Sequence, residues 1–405
     1  MSSILTNNGA MVALQTLKSV NKNLAQTQNA ISTGKDVATA KDNSAVWAIS
    51  KVMESDVNGF NAIKDSLALG ESTVAVARNA SETVTDLLNQ MKGKIVAAQE
   101  DNVDRAKINT DVAALRDQIE SVVGAAQFNG LNLVNGGAGA SILSSLDRDN
   151  AGNVTASSIS VSAQNLSTGG YTAADVFTGT DGVTADTADA FGFSLDGNGG
   201  SDDDGSIVIA DPGTLSAGDT FTVRLGDDVA SYTVRAEDIA AGNAPEEIIA
   251  AGLKAAIEAS DANVSVVYDP GTNAAQLDIT NEGSDSLQIS GQYANANSGG
   301  LGALASIDVS TSAGASAALG AIEGLIDTAI DASAAFGSAQ GRIETQKEFI
   351  SNLSDSFKSG IGSLVDADME ETSARLQALQ VQQQLATQSL SIANQAPQSI
   401  LSLFR

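Results

Sequence analysis

The chain has 405 residues, more than one hydrophobic core usually serves, so two or more folded units are expected. A formal charge of −28 argues against nucleic acid and anionic membranes as partners, because phosphate binding requires clustered Lys and Arg and no such cluster is present. The absence of Cys and His excludes disulfides, Ser-His-Asp catalysis and zinc sites of the HExxH type. We therefore expect no enzyme and no cofactor.

The first residues, "MSSILTNNGAMVALQ", carry neither a basic n-region nor an unbroken apolar segment typical of a secretory signal. No stretch approaches the roughly 18 consecutive apolar residues of a membrane span. We expect a chain without a membrane partner that stays in the cytoplasm or leaves by a route that reads no cleaved signal.

The N-terminal flank is predicted to be helical, since the four prolines lie only at 212, 245, 270 and 397. A heptad-like seam is formed by Leu17, Val20, Leu24 and Ile31. A second helical stretch is expected beyond Gly59 and Gly70. A third, with an apolar face from Ile108 to Val123, should stop at the Asn129-Gly130 turn signal.

The middle of the chain is predicted to be β-rich and strongly acidic. Residues 131–315 hold four basic and 25 acidic residues, a net charge of −21, whereas the flanks hold a net charge of −7. The segments "TFTVRL", "SYTVRA", "VSVVYD", "AQLDIT" and "SLQIS" indicate strands, and "PEEIIAAGLKAAIEA" indicates a helix beginning at Pro245. These elements predict an α+β unit over about 218–290, and residues 171–216 are left without assignment.

The C-terminal flank is also predicted to be helical, with a sparser apolar stripe. The stripe consists of Ile343, Ile350, Leu353, Phe357, Ile361 and Leu364, then Leu376, Leu379, Leu385 and Leu390. The end "ANQAPQSILSLFR" places Ile400, Leu401, Leu403 and Phe404 in the last six positions. Pro397 is expected to end or kink the helix at Ala396.

One segment favours a metal hypothesis, "DGNGGSDDDG" at residues 196–205, because Asp oxygens on a flexible loop suit calcium. Gly200 stands where EF-hand spacing requires an oxygen ligand, so a solvated acidic loop is the favoured interpretation. We expect no catalytic, cofactor or metal site.

Three stretches of the N-terminal flank carry motifs in a recognisable order: "SILTNNGAMVALQTL", "ISTGKDVATAKDNSAVWAIS" and "AQFNGLNLVNG". They resemble, in that order, the opening I-N-T-N segment, the L-S-S-G and A-K-D-D-A-A-G-L-A-I stretch and the T-x-F-N-G-x-x-L-L segment of bacterial flagellin, the subunit of the flagellar filament. The matching positions are Ser32, Gly34, Ala40, Lys41, Asp42, Ala48, Ile49, Phe128, Asn129, Gly130 and Leu133.

The C-terminal flank carries the same resemblance. "GSAQGRIE" is similar to G-A-x-Q-N-R-L-E through Gly337, Gln340, Arg342 and Glu344, and Asp366 to Asp368 form the family's D-A-D. The ending resembles A-Q-A-N-Q-x-P-Q-x-x-L-x-L-L. Ordered motifs at both ends of the chain thus carry the resemblance.

The resemblance implies a multidomain, mainly α-helical fold: a long antiparallel helical rod and coiled coil from both termini, with β-hairpin additions and a central α+β outer domain. The implied domains are an inner coiled coil (1–43 with 358–405), a helical rod with a β-hairpin (44–170 with 304–357) and a variable solvent-facing domain (171–303). It also implies unfolded type III export and self-assembly into an extracellular flagellar filament for motility. The implied partners are copies of the chain, the filament cap, hook-filament junction proteins and an export chaperone.

Self-assembly residues are expected on the apolar stripes of both termini. They are Leu5, Leu17, Val20, Leu24, Ile31, Ile361, Leu364, Leu376, Leu379, Leu390, Ile400, Leu401, Leu403 and Phe404.

Five positions depart from the family pattern. Ala30 and Ser363 stand where the family carries arginines. The resemblance aligns residues 91–94 with the segment that the Toll-like flagellin receptor recognises in family members. There Met91 and Gly93 replace two arginines and Lys94 reverses the charge of a glutamate. We expect weak or absent receptor activation.

Three other interpretations stay open at this point. A hook-filament junction protein shares the terminal helices of flagellin but forms no long filament alone. A flagellin with a metalloprotease insert is disfavoured by the absence of His. A calcium-binding surface adhesin would use the acidic middle.

Ser- and Thr-rich stretches in the acidic middle are candidate glycosylation sites, and the sequence does not indicate which individual residues would be modified.

Overall fold

Six α-helices and eleven β-strands form the part of the chain described by the computed structural model, residues 7–148, 153–183 and 189–403, with only the backbone described for 396–403. The helices are α1 (Asn8–Thr33), α2 (Ser44–Gln99), α3 (Arg105–Ala125), α4 (Pro245–Glu258), α5 (Ser312–Val365) and α6 (Met369–Leu403). The strands are β1 (Gln127–Phe128), β2 (Leu131–Asn132), β3 (Ala140–Arg148), β4 (Val154–Val161), β5 (Ala190–Leu195), β6 (Asp204–Val208), β7 (Thr220–Leu225), β8 (Asp228–Thr233), β9 (Val264–Val267), β10 (Gln276–Asn281) and β11 (Leu287–Ala294). Terminal helices thus flank a β-rich middle, as the sequence predicts.

The contacts divide the chain into two compact units. The first comprises Met1–Asp65, Ser145–Ser157 and Gln346–Arg405, and the second comprises Ser66–Ser144 and Ser158–Thr345. Each unit therefore combines segments that are distant in sequence.

In the first unit α1 and α6 pack side by side and antiparallel. α1 ends at Gly34, whose φ of +70° is the left-handed conformation favoured at a helix C-terminus. The residue after it, Lys35, forms an isolated antiparallel bridge with Asp366, between α5 and α6. Phe60 of α2 meets Phe357 of α5 edge-on, with ring centroids 5.2 Å apart.

Gly59 and Gly70 do not separate two helices, because α2 continues through both. The glycines instead make room for the β3 hairpin: a Cβ at Gly70 would meet Ile142 side-chain atoms at 2.5–2.7 Å, and one at Gly59 would meet Leu146 Cδ1 at 3.0 Å. The expected second helical stretch is therefore the later part of a longer helix. The cost of glycine within a helix, about 1 kcal/mol each, is offset by close packing of the hairpin.

The helical part of the second unit confirms the predicted third helix. Asp104 caps α3 by accepting a hydrogen bond from Lys107 N at 3.2 Å, and Val112, Ile119 and Val123 are buried. The chain then turns at Asn129, which has φ +50°. The Asn-Gly signal thus ends this helix region as predicted.

The strands and the helix predicted in the middle of the chain are present, in two antiparallel sheets ordered β5-β11-β7-β8 and β6-β10-β9. α4 carries buried Ile249, Leu253 and Ile257 into the same core. The stretch left without assignment supplies β5 and β6, so 218–290 is too narrow a range for this set of elements. Buried Phe191 of β5 lies edge-on to Phe177, with ring centroids 4.8 Å apart.

α5 is the one helix within the described residues that is long and apolar enough to cross a membrane, with an 18-residue window of mean hydropathy 1.2. Core helices of soluble proteins pass the same test, and 44% of this window is buried within the protein. Its large apolar side chains Ile322, Phe336 and Ile343 are fully buried. Their burial favours a core helix.

Candidate assembly surfaces

The α1–α6 pair brings together most of the assembly residues expected from the terminal stripes. Val20 and Leu379 are 7% exposed, and the other seam residues are half-buried: Leu17, Leu24, Ile31, Leu376 and Leu390. Asn21 Oδ1 accepts a hydrogen bond from Gln383 Nε2 at 2.8 Å. The apolar stripes of α1 and α6 therefore bury each other in part within one chain.

The expected assembly residues outside this seam differ in exposure, and some of their side chains are not described. Ile361 is half-buried on α5, whereas Leu364 is 42% exposed. Leu5 and Phe404 lie outside the described residues. Ile400, Leu401 and Leu403 lie on α6, where only the backbone is described.

Pro397 is expected from the sequence to end or kink the last helix at Ala396, and the expected end is wrong, because α6 continues through Pro397 to Leu403. A proline within a helix has no N–H to donate to the carbonyl four residues earlier, here that of Ala393. Asn7, just before α1, supplies a substitute: its Nδ2 donates to Ala393 O at 2.8 Å. The same side chain accepts from Ala10 N at 3.0 Å through Oδ1, so Asn7 caps α1 and completes α6 at once.

Both helices of the pair also present large apolar side chains to solvent. On α1 these are Met11, Val12 and Leu14, 43–64% exposed; on α6 they are Val381, Leu385 and Ile392, 55–69% exposed. Val12 and Leu385 line a groove of about 440 Å³ between the two helices. Each helix thus has an apolar surface beyond the one that its partner helix covers.

A second exposed apolar set lies on α2, α5 and the start of α6, and the apolar stripes of the sequence predict only one of its members, Leu364. Ile49 and Val52 on α2 and Phe349, Leu364 and Met369 on α5 and α6 are 42–56% exposed. Phe349 lies directly before the stripe residue Ile350, which is 1% exposed, so it falls beside the buried stripe. The sequence signal that could have indicated Phe349 is its position as a large apolar residue next to a helical stripe.

The missing arginine at position 30 leaves an acidic recess. Ala30 is buried and lines a polar cavity of about 240 Å³. Its charged lining residues are Asp36, Asp366, Asp368, Glu371 and Arg375. No ion pair spans it within the described part of the chain. Ser363, at the second missing arginine, is exposed and donates to Gly360 O at 2.9 Å.

The receptor-segment positions lie on α2 in different environments. Met91 is fully buried, Gly93 is exposed, and Lys94 forms an ion pair of 2.6 Å with Asp111 of α3. Two of the three positions therefore face solvent.

No group of three or more Asp or Glu side chains with metal-binding geometry is found in the described ranges. In the acidic loop, Asp203 Oδ2 accepts from Gly199 N at 2.7 Å, and Glu282 accepts from Asn198 at 3.0 Å. These oxygens serve loop hydrogen bonds. The buried carboxylates Asp219 and Asp238 are likewise used internally, each accepting a tyrosine hydroxyl at 2.7 Å.

Comparison with known families matches both ends of the chain. The model of the bacterial flagellin N-terminal helical region matches residues 4–139, and that of the flagellin C-terminal helical region matches residues 319–404. More than half of the chain is covered by the two matches together.

Relatives aligned over the full length of the chain are also flagellins. Flagellin A of Rhizobium meliloti is 35% identical over 442 residues, and flagellin D of Rhizobium meliloti strain 1021 is 35% identical over 414, both covering 100% of each chain. Among solved structures, FliC from Burkholderia pseudomallei aligns with 17% identity and a TM-score of 0.32, covering 67% of this chain and 99% of that one. Hook associated protein-3 from Legionella pneumophila aligns with 11% identity and a TM-score of 0.39, covering 78% and 98%. With two family models at its ends and relatives aligned from end to end, the chain belongs to the bacterial flagellin family.

Proposed function

We propose that this chain polymerises through the exposed apolar side chains of its α1–α6 pair, and that this surface joins subunits of the flagellar filament. As a flagellin it is a structural, non-enzymatic subunit of that filament. The observation that carries the proposal is the exposure of Met11, Val12, Val381, Leu385 and Ile392 at 55–69% on one helix pair. A monomer leaves that area in water, whereas packed copies bury it.

The exposed side chains are large enough to drive association. Full burial of one such side chain contributes about 1.5–3 kcal/mol, so covering the exposed half contributes roughly 1 kcal/mol each. The five residues together then supply roughly 5 kcal/mol per subunit before the loss of translational freedom. In a polymer each subunit contacts several neighbours, so the burial free energy summed over these contacts is sufficient to offset the loss of translational freedom.

The division of charge supports an arrangement in the filament. The flanks carry a net charge of −7, and residues 131–315 carry −21. We infer that 1–43 with 358–405 form the innermost layer, 44–170 with 304–357 the wall, and 171–303 the solvent-facing part. Charges facing solvent are screened over about 8 Å at physiological salt, so a crowded wall favours the less charged flanks.

The same proposal includes an extracellular location and export through the flagellar type III apparatus. It also includes the filament cap, the hook-filament junction proteins and an export chaperone as partners. Membership in the family supports these parts of the proposal, and the long helical termini are compatible with threading as an extended chain.

Seeded polymerisation tests the apolar surface. Leu385→Ser with Ile392→Ser should raise the critical concentration for polymerisation by at least tenfold, since about 2 kcal/mol of burial is lost. Val267→Ser is the matched control, because Val267 is 55% exposed on β9 in the second unit. Normal polymerisation of the double variant would contradict the proposal.

Two deletions extend the test. Removing residues 396–405 should leave a soluble monomer, whereas removing 176–300 should still permit filaments. Electron microscopy of seeded wild-type protein also distinguishes a filament subunit from a junction protein, which would not elongate.

A further inference from the structure

We propose that the free edge of β8 is a docking site for an extended, basic peptide segment of another protein, which adds as a further strand to the sheet. This inference stands apart from filament assembly. It rests on an open strand edge, an adjoining groove and the charge of that groove, all within the second unit.

The pairing of β7 with β8 fixes which backbone groups of β8 are free. The hairpin closes on Leu225 and Asp228 around a two-residue turn, so Asp228, Ala230 and Tyr232 direct their N–H and C=O groups toward β7. Gly226 N donates to Gln288 O of β11 at 2.9 Å, which agrees with this alternation. The backbone groups of the intervening residues on β8 therefore point away from the sheet.

Those outward groups belong to Val229, Ser231 and Thr233, and all three residues are exposed. Within the part of the chain that the structure describes, none of their backbone groups has a hydrogen-bond partner on that side. β8 also contains neither proline nor lysine, the residues that commonly block an edge. It is an open edge with strand-forming residues.

The outer edge of β6, in the other sheet, is by contrast covered by the chain itself. Asp181 N donates to Ser206 O at 3.0 Å, and Asp181 Oδ2 accepts from Ser206 N at 2.7 Å. Thr180 Oγ1 both donates to Val208 O and accepts from Val208 N, at 3.0 and 2.9 Å. The chain protects one edge and leaves the other available.

Helix α5 crosses the outer face of the sheet toward the open edge. It approaches β5 where a Cβ at Gly192 would lie 3.0 Å from Ser316 O, it approaches Ser290 of β11 at Gly320, and it pairs Asp327 with Arg224 of β7. The next turn, at residues 330–331, lines the same groove as Val229 of β8. A strand added beside β8 would lie next to this turn.

The groove between α5 and the sheet has a volume of about 500 Å³ and a mixed apolar and polar lining. Its charged residues are the paired Arg224 and Asp327 and a third residue, Asp331, so its net charge is negative. Val229 and Ile330 are 49% and 47% exposed. Asp331 is exposed, and its carboxylate has no ion pair or hydrogen bond with any other described residue. A lysine side chain fits this combination, with its aliphatic stem on the two apolar side chains and its ammonium at the free carboxylate.

Charge also selects the partner. Residues 131–315 carry a net charge of −21, so the same region of a second copy would be repelled from β8. A strand with alternating Lys and Val would place lysines toward α5 and valines beside Ala230 and Tyr232. Backbone pairing supplies affinity, and the groove selects the basic side chains.

The test measures binding of a fluorescent probe, acetyl-Lys-Val-Lys-Val-Lys-Val-amide, to the full-length purified chain by anisotropy. Saturable one-to-one binding is expected, weakening as salt rises from about 0.05 to about 0.5 M. A probe N-methylated on alternate backbone nitrogens should lose at least about tenfold in affinity, since it cannot pair with β8. This comparison leaves the protein unchanged, so it does not depend on whether a variant folds.

Two variants locate the site. Ser231→Pro removes one outward N–H, and Asp331→Lys reverses the charge at the position of the free carboxylate. Each variant should lower the affinity for the probe by about fivefold or more. Asp261→Lys is the matched charge control, because Asp261 is exposed and lies in the turn after α4. It should bind the probe within about twofold of wild type.

Three results would overturn the inference. They are absence of saturable binding, equal binding of the N-methylated probe, and equal binding of a Glu-Val counterpart of the same length. Dimerisation of the chain that Ser231→Pro abolishes would assign the edge to a second copy instead. Filament formation is unaffected by any of these outcomes.

Discussion

The hydrogen bond from Asn7 to the carbonyl freed by Pro397 makes a specific energetic prediction. Asn7→Asp keeps the cap of α1, since Asp and Asn are equivalent N-cap acceptors, but removes the Nδ2 donor to Ala393 O. We expect it to destabilise the α1–α6 pair by about 1–2 kcal/mol, the cost of a hydrogen bond whose acceptor is left unpaired. Asn7→Ala should cost about 1 kcal/mol more, because the cap is lost too.

Pro397→Ala provides the matched background. Alanine restores an N–H at position 397 that donates to Ala393 O within the helix, so the carbonyl no longer needs Asn7. In that background Asn7→Asp should cost close to nothing. A double-mutant cycle should therefore give a coupling of about 1–2 kcal/mol between residues at opposite ends of the chain.

Amide hydrogen exchange of α1 and α6 in the full-length chain measures these free energies locally. Exchange in the first turn of α1 should quicken by roughly tenfold in Asn7→Asp and remain near the wild-type rate when Pro397→Ala is also present. An equal effect of Asn7→Asp in both backgrounds would refute the reasoning, since the donor would then have no connection to the proline.

Three further predictions concern packing and titration. Phe60→Ala should lower stability by about 3–5 kcal/mol in thermal unfolding, because Phe60 is 6% exposed, whereas Phe349→Ala, at 56% exposed, should change it by less than about 0.5 kcal/mol. Gly70→Ala should destabilise the chain, because the new Cβ meets Ile142, whereas Gly93→Ala, with open space around it, should not. Burial and the Asp238 carboxylate raise the pKa of Tyr232 to about 12. The folded chain thus holds this proton more tightly than the unfolded chain, so stability present below pH 10 should fall as pH rises toward 12, and Tyr232→Phe should flatten this decline in denaturant titrations.

The sequence predicted helices well where their patterns are long. The α3 face from Val112 to Val123 and the Asn129 turn were predicted because local spacing and turn chemistry determine them. The continuity of α2 through Gly70 could not be read locally, because a helix glycine is justified by Ile142, which is distant in sequence. Local sequence rules include the cost of a glycine in a helix, but not the tertiary packing that offsets this cost.

The same reason explains the misjudged proline and the unassigned strands. Proline is a helix breaker by local chemistry, but the donor that replaces its lost hydrogen bond, Asn7, is near the other terminus. β5 and β6 lie among glycines and aspartates that indicate turns, and their partners β11 and β10 come more than 60 residues later in the chain. Of the candidate surface, the stripes were predicted from spacing, whereas Phe349 was missed because it lies beside the stripe.

The distribution of exposed apolar side chains explains why this chain needs copies of itself. Among the described residues, twelve of the seventeen large exposed apolar side chains lie in the first unit, although it is the smaller of the two. The second unit leaves only five of them exposed, and its Phe177, Phe191, Phe221 and Phe336 are fully buried. Such an imbalance would favour aggregation in a free monomer, yet a regular polymer removes it by covering the same surface on every subunit. The open edge of β8 lies instead in the acidic unit, where like charge keeps copies apart and leaves the site for a partner of opposite sign.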